Sequence, residues 1–230
     1  MNHAIVSLLA VASVPAAALA GGSDIGLLVQ DGRIVTAVAD DENGAFEELG
    51  ERVFGADIDF VTNLGDEPGF FTTDGPTVPA GFSSFTPGST ITYRTNGALQ
   101  AWNGAEFVAT TNRLRQIVVP NVLEILTPSD GSTVDGFEYT YAGGEFDEHP
   151  DYAMENGAEA GIYLWNITFS ATDGAGNAYG DSESVFVVFN FGLSEAEHEA
   201  AIAYAESIVP APGVLAPLAF AGALATRRRR

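Results

Sequence analysis

The sequence contains no cysteine and no lysine. Without cysteine there are no disulfides, no cysteine–zinc or iron–sulfur sites and no cysteine nucleophile. Small exported domains often depend on disulfides, so this chain has to hold together through its core. Without lysine, all nine basic residues are arginine, and four of them form the final run Arg227, Arg228, Arg229, Arg230. All 31 acidic residues lie between Asp24 and Glu206. Once both ends are set aside, only Arg33, Arg52, Arg94, Arg113 and Arg115 face those 31 acids, for a charge of about −26. Nucleic acid is therefore not expected as a partner, because phosphate binding needs Lys/Arg neutralisation. Several catalytic signatures are also missing. There is no Gly-x-Ser-x-Gly elbow and no His-Glu-x-x-His pair, and glycosidase carboxylates cannot be singled out from so many acids.

What is present is enough apolar material for a core. Of 230 residues, 46% are hydrophobic and 10% aromatic, which excludes wholesale disorder and fits one domain. The acidity on its own implies solubility, cation attraction or a saline environment.

The two ends carry addresses. Met1–Ala20 has an apolar run from Ala4 to Val14 and a small-x-small site, Ala18-Leu19-Ala20, before Gly21. This predicts a secretion signal cleaved after Ala20 and passage through the secretion translocon. At the other end, Val209-Pro210-Ala211-Pro212-Gly213 precedes the apolar Val214–Thr226 and the four arginines. Thirteen helical residues reach about 20 Å, short of a hydrocarbon core of about 30 Å. The terminal arginines act as a positive-inside stop. This tripartite tail resembles the PEP-CTERM sorting signal of exopolysaccharide-associated bacterial proteins, with Ala211 where that family usually has Glu. The resemblance implies an exosortase-like membrane protease as partner, possible association with exopolysaccharide, and a final location at the cell surface or outside the cell. A permanent short tail anchor is the competing reading. The expected division is a signal at 1–20, an acidic mature domain at 21–207 and a sorting tail at 208–230.

The middle reads as mainly β: an antiparallel β-sandwich-like domain with one C-terminal α-helix, followed by the hydrophobic tail helix. Gly26–Asp40 is predicted to be a hairpin turning at Asp31-Gly32. Residues 62–90 hold Pro68, Pro76, Pro79 and Pro87, so much of that stretch is expected to be loop or edge strand. Short strands are expected at Thr90–Arg94, Glu106–Ala109, Gln116–Val119, Val122–Leu126 and Gly136–Tyr141. A long hairpin is expected from Gly161–Thr172 and Ser184–Phe191, the latter so apolar that it should be central and buried. Ser194-Glu195-Ala196-Glu197 is a capping box that should start a helix running to about Ser207, before Pro210.

Three acidic segments could hold a divalent cation, Ca²⁺ or another. Asp147, His149 and Asp151 share strand parity, so an extended segment would put all three on one face. The competing reading is a solvated acidic loop. Asp173, Asn177 and Asp181, with Glu183, surround a Gly-rich turn whose oxygens suit Ca²⁺, although the spacing is not that of an EF-hand. Asp40-Asp41-Glu42-Asn43-Gly44 is similar. The run Glu145–Tyr152, then Gly161-Ile162-Tyr163, then Val187–Asn190 also resembles uncharacterised bacterial surface proteins that carry His residues before a Gly-x-Tyr strand. That resemblance implies a metal role for His149. His198, among Glu195, Glu197 and Glu199, is expected to be exposed on the helix. Tyr163, Trp165 and Trp102 would make either a sugar-stacking platform or core. The function expected is a structural or binding protein of the cell surface or matrix, not an enzyme. A secreted hydrolase with an unrecognised site and a metal-binding surface protein are the alternatives.

Overall fold

The computed structural model describes residues 23–40, 43–118, 123–155 and 157–209. The expected signal, with Ala18, Ala20 and Gly21, lies outside the described residues. So does the tail from Pro210 through Arg230, including Ala211, Pro212 and the four arginines.

The first five strands are β1 (Asp24–Gln30), β2 (Arg33–Asp40), β3 (Ala45–Glu47), β4 (Val53–Asp57) and β5 (Phe70–Thr73). Then come β6 (Ser89–Asn96), β7 (Gln100–Trp102), β8 (Phe107–Ala109), β9 (Leu114–Val118) and β10 (Leu123–Leu126). The remainder are β11 (Thr133–Tyr141), β12 (Glu145–Glu148), β13 (Asp151–Met154), β14 (Gly161–Thr172), β15 (Val185–Phe191) and the helix α1 (Glu195–Ile208). The expected mainly β fold with one C-terminal helix is what the chain adopts.

Two large sheets face one another. One runs β12-β5-β1-β2-β3; the other runs β11-β6-β14-β15-β4, with β7 paired to β14 and β8 paired to β7. A small third sheet runs β10-β9-β13. Most pairs are antiparallel, but β1 pairs with β5 and β15 pairs with β4 in parallel. The β1–β2 hairpin turns where expected. Asp31 and Gly32 both take positive φ, 50° and 76°, as a two-residue turn matching strand twist requires.

Strand alternation builds the core. Ile25, Leu27 and Val29 point from β1 toward Ile91 and Tyr93 of β6 and Ile167, Phe169 and Ala171 of β14. β15 is central and buried on both faces, as its composition predicted. Val185, Val187 and Phe189 join that core, while Val188 faces a second cluster with Ile162, Leu164, Ala201, Ile202 and Ala205. The helix thus covers the back of the seven-stranded sheet. Its capping box forms as expected, with Ser194 and Glu197 bonded reciprocally. Val209, the one described residue of the expected sorting motif, is the helix C-cap.

Two expectations change. The proline-rich stretch contains β5, which sits inside its sheet between β12 and β1 and is wholly buried. Pro68 and Pro76 flank that strand, so its ladder loses no N–H. His198 is buried, not exposed, because it lies on the face of α1 that packs on β15.

Candidate metal centre

His149 follows the last residue of β12 and precedes Pro150. Proline has no N–H for a ladder, and the chain leaves the five-stranded sheet here to enter the small sheet as β13. Asp147 pairs with Phe71 across β12–β5, whereas Asp151 pairs with Ile117 across β13–β9. The break ends the strand parity that the sequence suggested. Asp147 and His149 stay together, and Asp151 lies outside the cluster.

Two residues from distant segments take its place. Asp24 opens β1, and Glu67 lies on the loop before β5. A ligand atom from each of Asp24, Glu67 and His149 lies within 4.8 Å of the others. The loop carrying Glu67 is tied to β13. Gly65 and Tyr152 exchange backbone hydrogen bonds, and the buried Tyr152 hydroxyl donates to the Pro68 carbonyl at 3.0 Å. Gly69 makes the approach possible. A Cβ there would lie 2.6 Å from both Asp24 Oδ1 and His149 Cε1, filling the space between them. Its N–H donates to Asp24 Oδ1 at 2.7 Å, which fixes that carboxylate.

The proton positions follow from the partners. His149 Nδ1 faces the Asp66 carbonyl at 3.2 Å, and a carbonyl only accepts, so Nδ1 carries a hydrogen. Nε2 then faces Asp147 Oδ1 at 2.9 Å and Asp24 Oδ2 at 3.5 Å. A backbone carbonyl holding one ring nitrogen so that the other points at carboxylates is the usual arrangement of a metal-binding histidine. Asp24 Oδ2 is buried and has no hydrogen-bond partner. The Asp24 side chain is 2% exposed, whereas those of His149, Glu67 and Asp147 are 28%, 32% and 35% exposed, so the cluster is closed inside and open outside.

Negative groups outnumber positive ones in the cluster. Three carboxylates converge on one imidazole, and no arginine pairs with them among the described residues. Burial pushes the Asp24 carboxyl up to about 7, with His149 opposing and Glu67 adding to the rise. Burial raises Glu67 as well. Burial pulls the His149 imidazolium down, but Asp24, Asp147, the Asp66 carbonyl and Glu67 outweigh it and leave its pKa raised. A divalent ion would relieve this excess of negative charge and satisfy Asp24 Oδ2. One imidazole nitrogen with carboxylate oxygens is a donor set for Zn²⁺ or a first-row transition ion more than for Ca²⁺.

The other predicted sites are occupied by their own polar groups. Asp173 Oδ1 accepts the Ala175 and Asn177 N–H groups, and Oδ2 accepts the Asn177 amide. Asp181 lies 3.6 Å from Arg94, and its carbonyl accepts from Arg33. Asp173, Asn177 and Asp181 are therefore not drawn into one donor set. Asp40 likewise bonds Asn43 twice, while Asp41 and Glu42 lie outside the described residues. Tyr163 and Trp165 are core residues, the latter with its Nε1 donating to Thr95, and Trp102 packs on Phe107 and Tyr204, so the three do not line one platform. A shallow cleft near Arg33, Arg52 and Glu183 lies at the far end of β1 from Asp24 and shares no residue with the cluster.

Asp24 and Glu67 cannot be picked out from the sequence because nothing local links them to His149. The one available sign was Gly69 beside Pro68 in an acidic loop, which does not by itself point to a partner. No protein-family model matches the chain, and no curated protein matches it.

Proposed function

We propose that this is an exported cell-surface or extracellular-matrix binding protein whose β-domain holds a divalent transition ion between Asp24, Glu67, Asp147 and His149. The observation that carries the metal reading is the buried Asp24 Oδ2, which has no hydrogen-bond partner and lies 3.5 Å from His149 Nε2, in a site without arginine among the described residues. Ionising a carboxylate there is unfavourable unless a cation compensates it. Export is supported by the signal-like first 20 residues, and exosortase-type sorting by the Pro-apolar-Arg tail. The charge of about −26 on the mature part speaks against nucleic acid and is compatible with a polysaccharide matrix rich in bound cations.

The test is calorimetric titration of the full-length chain with ZnCl₂, MnCl₂ and CaCl₂ in a non-chelating buffer at pH 7.5. Zn²⁺ or Mn²⁺ should bind, and His149→Asn should weaken that ion at least tenfold. If no ion binds, or if His149→Asn leaves every isotherm unchanged, the metal reading fails. If only Ca²⁺ binds, and independently of His149, the acidic turns become the site instead.

A further inference from the structure

The structure assigns a second divalent-cation site, at the junction of α1 with β4, built from Asp57, Glu195 and His198. A ligand atom of each lies within 4.8 Å of the others. Asp57 ends β4, and Glu195 and His198 stand three residues apart on α1, a spacing that puts both on one helix face. The two carboxylates are exposed and the histidine is 1% exposed, so the site is rooted in the core and opens to solvent.

The imidazole carries the inference. His198 Nε2 lies 2.8 Å from the Val188 carbonyl of β15, which can only accept, so Nε2 bears the hydrogen. In the neutral ring Nδ1 is then a bare lone pair, and it is buried without a hydrogen-bond partner. A buried acceptor left unpaired is unfavourable, and no group among the described residues satisfies this one. A histidine held by a carbonyl at one nitrogen and free at the other beside two carboxylates is prepared to coordinate. Neither carboxylate pairs with an arginine among the described residues.

The surroundings hold this geometry. Gly55 of β4 lies opposite Val188, and a Cβ there would come 2.7 Å from Ile202 Cδ1 and 3.5 Å from His198 Cε1. A side chain there would force Ile202 to shift. The Asn190 side chain accepts from the Leu193 N–H and donates to the Leu193 carbonyl, clamping the turn into α1. Ser194 and Glu197 satisfy each other in the capping box, which leaves Glu195 free. One nitrogen and two oxygens from three side chains suit Zn²⁺ or Mn²⁺ with open positions for water. The ion would pin the first turn of α1 to the end of β4.

The site is independent of the Asp24 cluster, and the two can be separated. The full-length chain is titrated with ZnCl₂ as wild type, as Asp57→Asn/Glu195→Gln and as Asp24→Asn/His149→Asn. Both altered residues of the first variant are exposed, so its fold should persist, with a circular-dichroism spectrum as the check. The Asp24→Asn/His149→Asn protein should still bind one Zn²⁺, with a shift of the His198 Nδ1 resonance in ¹⁵N NMR. Adding Asp57→Asn/Glu195→Gln to it should weaken that ion at least tenfold. If the Asp24→Asn/His149→Asn protein binds no Zn²⁺, or if the added pair of substitutions changes nothing, the second site is overturned whatever the fate of the first. If an ion survives loss of Asp24 and His149 and is lost with Asp57 and Glu195, the second site stands even where the first fails.

Discussion

Replacing Asp24 by Asn should make the ion-free domain more stable while abolishing its response to metal at the first site. The Asn oxygen can still accept from the Gly69 N–H, which Asp24 Oδ1 now does at 2.7 Å. What disappears is a buried negative charge beside Glu67. In the folded chain this carboxyl titrates at about 7, against an ordinary 3.8. Holding a carboxylate ionised against a rise of that size costs about 4 kcal/mol, and roughly 2 kcal/mol is a reasonable share once solvent and side chains relax. For a domain of this size that is a rise in Tm of about 4–8 °C at pH 8. The pH dependence has a definite sign. A raised folded pKa means that the native state holds the proton more tightly, so the contribution of Asp24 to ion-free stability is fully present below about pH 4 and is lost as pH rises to about 7. The substitution should flatten that decline. Thermal melts of chelator-treated protein from pH 4 to pH 8, with and without ZnCl₂, read both effects. A Tm for Asp24→Asn several degrees below wild type at pH 8 would refute the reasoning, because Asp24 would then be a stabilising structural carboxylate. An undiminished metal-induced shift assigned to this site would refute it equally.

Other consequences can be checked separately. Gly69→Ala places a methyl 2.6 Å from Asp24 Oδ1 and His149 Cε1, so metal affinity should fall at least tenfold in titration and stability by about 1–3 kcal/mol in denaturant melts. Ile202→Ala should cost about 2–4 kcal/mol by opening the cluster beneath α1, with Zn²⁺ affinity at the Asp24 cluster unchanged. Intact-mass analysis of exported protein should show Gly21 as the first residue. Changing Arg227–Arg230 to Ser should mis-sort the protein in an exosortase-positive host, as followed by cell fractionation.

Local chemistry was legible where it is self-contained. The Asp31-Gly32 turn, the alternating strands, the apolar β15 and the Ser194 capping box each depend on a few adjacent residues, and each forms. β4 and β5 were missed because Gly55 interrupts one and prolines flank the other, leaving no run long enough to show a period. Half of the first proposed cluster was legible: Asp147 and His149 are neighbours in sequence. Asp151 was misplaced because Pro150 turns the chain into another sheet. Asp24 and Glu67 reach His149 only through the parallel β1–β5 pairing and the Tyr152 contact, which no short pattern encodes. His198 looked exposed among its glutamates because the sequence does not say which helix face meets Val188.

We propose above that Asp24, Glu67, Asp147 and His149 gather around an ion. The most direct measurement is anomalous diffraction at the zinc edge from crystals of the full-length chain grown with ZnCl₂. The expected result is a peak bonded to His149 Nε2 and to Asp24 Oδ2 at about 2.0–2.2 Å. Density showing His149 Nε2 still hydrogen-bonded to Asp147, with no anomalous peak among the four side chains, would contradict it.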